Sequence, residues 1–385
     1  MANRNKVTKF ELMKKIRNYT KGFILLAMAI SFMACEENNF KPESNESILP
    51  ENFKVDIPNS ISNNNARFKS TEGDTLNGNE IYENLTNFIA IGEGSADIVE
   101  AIIWHLRIFD IYDVIDLTYV SDEDGRVKHM EIVEGGEYTN QTWEYTLTVT
   151  DVESAVNADG GVALKLYWNT SPVAGVALLK PYNINRADDD GLGDAMYSIE
   201  YSEAGMGEYD AYMIVQIANI PLPNAELEPY AANNIKMFVG KKGDIIDVYG
   251  NSNHPNATFF TEETGFNWAF IASGDENKDI SVAEVSLPPT TLDTPSRDII
   301  LKDYSIKNVL TDEINTWFLD NLGIRPNDED LANYLMNADA PGFFNQSGFI
   351  QGGTAPSDEY NELVDRLTHL SPYNPAEINA LSIEF

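Results

Sequence analysis

Apolar residues change their spacing twice along the chain. Behind Asn79, a residue type suited to an N-cap, Ile81, Leu85, Phe88 and Ile89 recur at helical intervals, and Gly92 and Gly94 end the pattern. Ser95 then reads as the cap of a second helix running to about residue 115. Its apolar residues Ile98, Val99, Ile102, Ile103, Leu106, Phe109 and Tyr112 spread round much of the circumference, which predicts burial on more than one side. Glu100, Arg107, Asp110 and Asp113 argue against a membrane helix.

From about Arg126 to Ile300 the period is two. In "TWEYTLTVT", Trp143, Tyr145, Leu147 and Val149 share one face and Thr142, Glu144, Thr146 and Thr148 the other, the pattern of a half-buried strand. Similar runs follow, from "VALKLYW" to "ISVAEVS", separated by Gly-, Asn- and Asp-bearing connections mostly of hairpin length. Short connections force antiparallel neighbours. The expectation is a meander of about eight to ten strands, curved or closed into a barrel, because so many strands rarely stay flat. After "LPPTTLDTPSRD" the helical period returns, with Thr311 as the cap of "TDEINTWFLDNL" and later helices in "NDEDLANYLM" and "SDEYNELVDRLTHL". The fold class is therefore α+β, mainly β: helices over 80–118, an antiparallel meander over 119–302 and a helical region over 303–385, forming one globular unit.

Residues 36–79 are rich in Asn, Ser, Glu and Pro, a composition that cannot repay the entropy of ordering, so 35–79 reads as a flexible tether. Within it, "NFKVDIPNSI" alternates well enough to be an edge strand or a docking segment.

Ahead of the tether stands "FILLAMAISFMA", residues 23–34, an apolar run preceded by Lys14, Lys15, Arg17 and Lys21 and closed by Ala34 and Cys35. Basic region, apolar core and small residue are in the order of a bacterial secretory signal. Twelve residues rise only about 18 Å as a helix, short of the roughly 30 Å hydrocarbon core. The Ala34-Cys35 junction resembles a lipobox, although Phe32 stands where Leu is usual; the resemblance implies cleavage after residue 34 and acylation of Cys35. Glu36 and Glu37 directly behind it resemble the surface-export signal of Bacteroidota lipoproteins, implying an outer-membrane anchor facing the extracellular side. Met13-Lys14-Lys15 resembles a typical start more closely than Met1 does, and both starts stay open.

The chain carries 26 Lys/Arg and 61 Asp/Glu; the first 34 residues hold seven and one of these, leaving 19 and 60 and a net charge of −41. Such a balance repels phosphate backbones and anionic lipid faces, so nucleic acid is not an expected partner and membrane association falls to the acyl chains. Cys35 is the sole cysteine, which excludes disulfides and thiolate metal sites from the folded body.

Candidate chemistry is sparse. Calcium is the one cofactor that the acidic loops invite. "DENKDI" and "SDEDG" each lack a required ligand or glycine, and "DDDGLGD" offers Asp188, Asp190 and Asp194 without complete spacing. "GEGS", residues 92–95, is a helix stop and cap before it is an anion loop. The histidines His105, His129, His254 and His369 share no metal spacing, and His254 in "NSNHPN" reads as an exposed loop residue. "GFFNQSGFIQGG" places Phe343, Phe344, Asn345, Gln346 and Phe349 in an expected loop compatible with ligand contact, or with pinning that loop to the core. No catalytic motif is present. The expectation is a non-enzymatic binding or interaction module for a hydrophobic ligand or a glycan, with a glycan-directed hydrolase and a subunit of a surface assembly as alternatives.

Overall fold

A computed structural model describes residues 48–50, 52–62, 78–108, 114–187, 192–224, 230–258 and 264–385. The signal segment, Cys35, Glu36, Glu37, Asp188 and Asp190 lie outside the described residues.

The protein is mainly β. One antiparallel sheet contains thirteen strands: β1 (Ile115–Val120), β2 (Val127–Glu134), β5 (Tyr145–Asp151), β6 (Val162–Thr170), β7 (Val173–Leu179), β8 (Met196–Ser202), β9 (Ala211–Ala218), β10 (Asn234–Lys242), β11 (Ile245–Thr258), β12 (Thr264–Asp275), β13 (Ile280–Ser286), β14 (Gly342–Asn345) and β15 (Gly348–Gly352). The hairpin of β3 (Glu137–Tyr138) and β4 (Gln141–Thr142) stands apart. Every strand pairs with the next in the order above, so the meander is continuous and larger than the eight to ten strands its pattern predicts. Among the described residues β1 and β15 are its two edges, which makes it an open, curled sheet rather than a closed barrel.

The inner face is covered by the chain itself. The helical pattern over residues 79–108 forms one helix, not two; α1 is the short turn Asn59–Ser62 and α2 this helix, Gly78–Ile108. It is about 46 Å long and lies against β8, β9, β13 and β15. Ile81, Tyr82, Leu85, Ile89, Ala96, Val99 and Leu106 bury into a core shared with Leu147, Leu166, Ile199, Val215, Met237, Val248 and Phe270. Gly92 does not stop this helix: the end of the Met237 side chain lies on it where a Cβ would stand, and Ser95 donates from Oγ to the Ile91 carbonyl at 2.8 Å inside the helix instead of capping a new one. A helix-breaking preference of about 1 kcal/mol is outweighed by tertiary packing. "GEGS" is therefore mid-helix and offers no helix N-terminus to an anion.

Residues 48–50 and 52–62 run beside α2 on the same inner face, so the expectation of a flexible tether up to residue 79 fails for these stretches. Leu49, Phe53, Val55, Ile57 and Ile61 are buried, and Phe53 packs on Gly175 and, at 5.8 Å between rings, on Tyr201. The extended backbone here pairs with no strand, so its N–H groups need other acceptors. Helix α2 supplies them: Phe53 N donates to Glu100 Oε1 at 3.0 Å, Ile57 N to Glu93 Oε1 at 3.4 Å, and Lys54 Nζ meets Asp97 at 2.8 Å. At the ends, Trp168 Nε1 donates to the Ile48 carbonyl at 2.6 Å, and Ser60 N donates to Asp279 Oδ1 at 2.8 Å. Burial raises the Glu93 carboxyl above its usual range, against the pull of the Ile57 N–H and Lys54.

Two further boundaries differ from the sequence pattern. β1 begins at Ile115, within the region 80–118 expected to be helical. The C-terminal region is not wholly helical: α4 (Ile306–Leu322) and α5 (Asp328–Tyr334) precede the β14–β15 hairpin, and α6 (Asn361–Leu367) and α7 (Pro375–Asn379) follow it, α3 being the short Pro181–Ile184. Ser305 rather than Thr311 caps α4, its Oγ accepting from Asn308 N, while Thr311 Oγ1 donates to Lys307 O at 2.6 Å within the helix.

Phe53→Ala should lower the unfolding free energy by about 3–5 kcal/mol, the cost of an aromatic cavity in a core, measured by urea denaturation. A change under about 0.5 kcal/mol, typical of a surface position, would place Phe53 outside the core.

Candidate functional site

With the inner face occupied by α2 and residues 48–62, the outer face is where the sheet can meet a ligand. Register sets its side chains in rows across the strands. One row runs Lys165, Leu178, Ser198, Gln216, Lys236 and Asn251 from β6 to β11; the next runs Tyr167, Val176, Glu200, Ile214, Phe238 and Tyr249. The strands carrying the period-two pattern thus set in one row five polar residues that lie 15 to 33 positions apart in sequence.

C-terminal segments cover both flanks of these rows. Over β12 and β13, Tyr360, Leu363 and Leu367 pack on Ile271, Val282 and Phe343, and Arg366 of α6 forms a fork to Asp247. Asp247 is fully buried and also accepts from Ser273 Oγ at 2.7 Å and Tyr209 OH at 3.0 Å. Further along, asparagine amides hold the chain: Tyr373 N donates to Asn251 Oδ1 at 2.8 Å and Asn234 Nδ2 to the Ile378 carbonyl at 2.9 Å. Ile383 and Phe385 then pack on Trp143, Tyr167, Val176 and Leu178 over β6 and β7.

Between the flanks, Glu200 of β8, Tyr212, Ile214 and Gln216 of β9 and Lys236 of β10 stay partly exposed, on a strip about 10 Å wide at the normal strand spacing. Its walls are aromatic. On one side Tyr212, Phe238 and Tyr249 stack in sequence, with centroids 6.2 and 4.7 Å apart, and Tyr249 meets Tyr373 at 5.3 Å. On the other, Tyr138 stacks on Tyr167 at 5.2 Å. Tyr212 ends its stack, with one ring face on Phe238 and no aromatic ring on the other among the described residues.

The floor is polar and half-buried. Tyr212 OH donates to Glu200 Oε1 at 2.7 Å, and burial, followed by that carboxylate, raises the phenol above its usual value. Lys236 Nζ lies 4.3 Å from the Tyr373 ring centroid. Burial lowers its ammonium, and Glu377 and Glu200 pull the other way. Among the described residues Lys236 forms no ion pair within 4.0 Å, and the Gln216 amide has no hydrogen-bond partner. In so acidic a protein, a lysine and an amide side by side with Glu200 on one strip can serve a polar ligand.

Two of the acidic loops that invite calcium, "SDEDG" and "DENKDI", are committed to the protein's own cations and turns. Asp124 accepts from Lys128 Nζ at 2.9 Å, Arg186 N at 3.0 Å and Arg126 N at 3.1 Å. Burial alone would raise its carboxyl, but these donors hold it low. Beside it, buried Asp151 takes Arg126 Nε at 2.9 Å and Ser154 Oγ at 2.9 Å. Asp275 accepts from the Asn277 and Lys278 N–H groups of its turn, and Asp279 holds Ser60. Asp194 lies in a three-residue turn, Leu192–Asp194. Among the described residues no group of three or more His, Cys, Asp or Glu side chains could hold a metal, and no helix is long and apolar enough to cross a membrane.

The segment expected as a ligand loop is the β14–β15 hairpin. Phe343 and Phe344 are buried, Phe349 stacks on Tyr82 at 4.9 Å, Asn345 Oδ1 caps the turn through Ser347 N at 2.8 Å, and Gln346 is exposed at the turn. The Tyr82 ring crosses Gly342 so closely that a Cβ there would lie 2.6 Å from Cε1. Phe344 and Phe349 anchor the sheet edge to α2, and Phe343 holds Tyr360 on the other face.

His254 is buried on β11 rather than exposed. Its ring stacks on Phe266 at 5.0 Å; Nδ1 donates to the Tyr230 carbonyl at 2.8 Å, so Nε2 accepts from Ser252 Oγ at 2.5 Å. A serine bonded to a neutral imidazole is the connectivity of a nucleophile and base. Ser252 is fully buried, however, and burial lowers His254 to about 4, far from the value a general base needs near neutral pH.

No protein-family model, no curated protein and no solved structure matches the chain. The functional reading rests on the residues themselves.

The lowered His254 makes a signed prediction. Above an unfolded value near 6.5, both states carry neutral imidazole. As pH falls from about 6.5 to about 4 the unfolded state binds the proton first and stability is lost, by up to about 3 kcal/mol for this group. Urea unfolding at pH 7 and pH 4 should show His254→Gln losing about 3 kcal/mol less than the parent over that interval. Parallel losses in both would contradict a buried neutral His254.

Proposed function

We propose that the chain is an outer-membrane lipoprotein, anchored through acylated Cys35 and displayed on the extracellular side, whose folded body binds neutral glycans without turning them over. The observation carrying the binding reading is the strip over β8 to β10: half-buried Glu200, Gln216 and Lys236 brought together by register, with the half-buried Tyr212 ring beside them. Sugars present ring faces to aromatics and hydroxyls to mixed donors and acceptors, and both are supplied here within one strip. A net charge of −41 on the mature chain disfavours acidic glycans.

Two alternatives are weaker. A hydrophobic ligand needs a cavity, and the inner sheet face is filled by the chain's own helix. Glycoside hydrolysis needs a carboxylate pair. The outer rows offer Glu200, while Asp247 is locked to Arg366.

Cys35 and the described residue Ile48 are 13 positions apart in sequence, a span of at most about 45 Å when fully extended. The body is thus held nearer the membrane than a tether ending at residue 79 would allow.

Calorimetric titration with neutral oligosaccharides should show binding that Gln216→Ala and Tyr212→Ala each weaken at least tenfold, about 1.4 kcal/mol. Absence of heat with every neutral glycan, or unchanged affinity in both variants, would overturn the binding reading. The anchor has a separate test: Cys35→Ser should abolish palmitate labelling and release the protein from membranes, whereas retained labelling would refute acylation at that residue.

A further inference from the structure

Helix α4 continues past the body that it covers. Ile306, Leu310 and Glu313 are its buried residues, at spacings of four and three, and they define the face turned to the sheet. Trp317, four positions on, continues that face but is 38% exposed, and Leu322 and Ile324 beyond it are 53% and 59% exposed. The chain turns at Gly323 and returns through α5, which ends with exposed Tyr334 and, just after it, Met336 at 57%. Phe318 joins the two arms, lying 5.3 Å from Trp317 and 6.4 Å from Tyr334 between ring centroids. Single exposed apolar residues are ordinary, but a core-facing stripe that runs off the core and gathers two exposed aromatics on one projection is a surface built to be covered.

Charge selects what covers it. Residues 308–338 contain six acids and one base, Arg325, and Asp312, Asp320, Asp328 and Glu329 are exposed around the apolar side chains. A second copy would bring the same acids, and an anionic lipid face would be repelled. We propose that the overhanging α4–α5 hairpin is a docking surface for a protein partner that presents an apolar helix face flanked by lysines and arginines. This surface is separate from the strip over β8 to β10 and stands whether or not that strip binds glycans.

The test uses the full chain and a synthetic amphipathic helix of Leu and Lys at helical spacing, with a Leu/Glu helix of the same pattern as control. Fluorescence anisotropy should show the Leu/Lys helix binding, the Leu/Glu helix not binding, and Trp317→Ala/Leu322→Ala weakening binding at least tenfold. Asp320→Lys/Glu329→Lys, which leaves the apolar side chains intact, should also weaken it at least tenfold. Equal affinity for the double apolar variant and the parent would overturn the proposal, because binding would then be diffuse attraction to an acidic protein. Sedimentation of the parent as a dimer that either double variant dissociates would assign the surface to a second copy instead.

Discussion

The inner face of the curled sheet must be kept from water, and the insertion of α2 with residues 48–62 meets that demand. Neither element has an alternative partner: α2 is apolar on several sides, and the extended backbone of residues 52–57 joins no strand. The two satisfy each other through Glu93, Asp97 and Glu100 of the helix and the amides and Lys54 of the segment. Together they occupy the concavity in which a sheet of this curvature could otherwise hold a ligand. What the molecule offers to others is therefore set by its outer face and its projections.

Electrostatics point the same way. The fold spends its scarce cations on anchoring acids within loops and on pinning the C-terminal segments: Arg126, Lys128 and Arg186 gather round Asp124 and Asp151, and Arg366 fixes α6 to Asp247. Asp159, despite burial, is held down to about 2 by Lys180, Asn183 and the Gly161 N–H. Against that background Lys236 stands out, since its ammonium meets the Tyr373 ring rather than a carboxylate within 4.0 Å among the described residues. The α4–α5 hairpin, with six acids and one base, gives the molecule a second surface of different chemistry.

Much of the scaffold is legible in the residue pattern. Strict alternation in β5 to β13 and short connections specify an antiparallel meander, and the stripe from Ile81 to Leu106 specifies a buried helix. What is not legible depends on contacts distant in sequence. Gly92 reads as a stop until Met237 is seen to lie on it. Gly342 and its neighbours read as a loop because the strand-forming signal is short and glycine-rich, and the Tyr82 ring that makes glycine necessary comes from 260 residues away. Phe53, Val55 and Ile57 alternate clearly, but their polar surroundings hide the carboxylates of α2 that make an unpaired extended segment stable. The outer strip was invisible for a related reason: Ser198, Gln216 and Lys236 become neighbours only through register across three strands. His254 carries the opposite lesson, since its polar neighbours in sequence suggest exposure while the strand pairing buries it.

Native-state hydrogen exchange at the Phe53 amide tests the central claim most directly. If the inner face is filled by residues 48–62 and α2, that amide, donating to Glu100 inside the core, exchanges as slowly as the central strand amides of β9 and β10. Exchange at the rate of an unprotected amide would mean that the segment is not seated there, that the inner face is open, and that a ligand site belongs within the sheet rather than on its outer face.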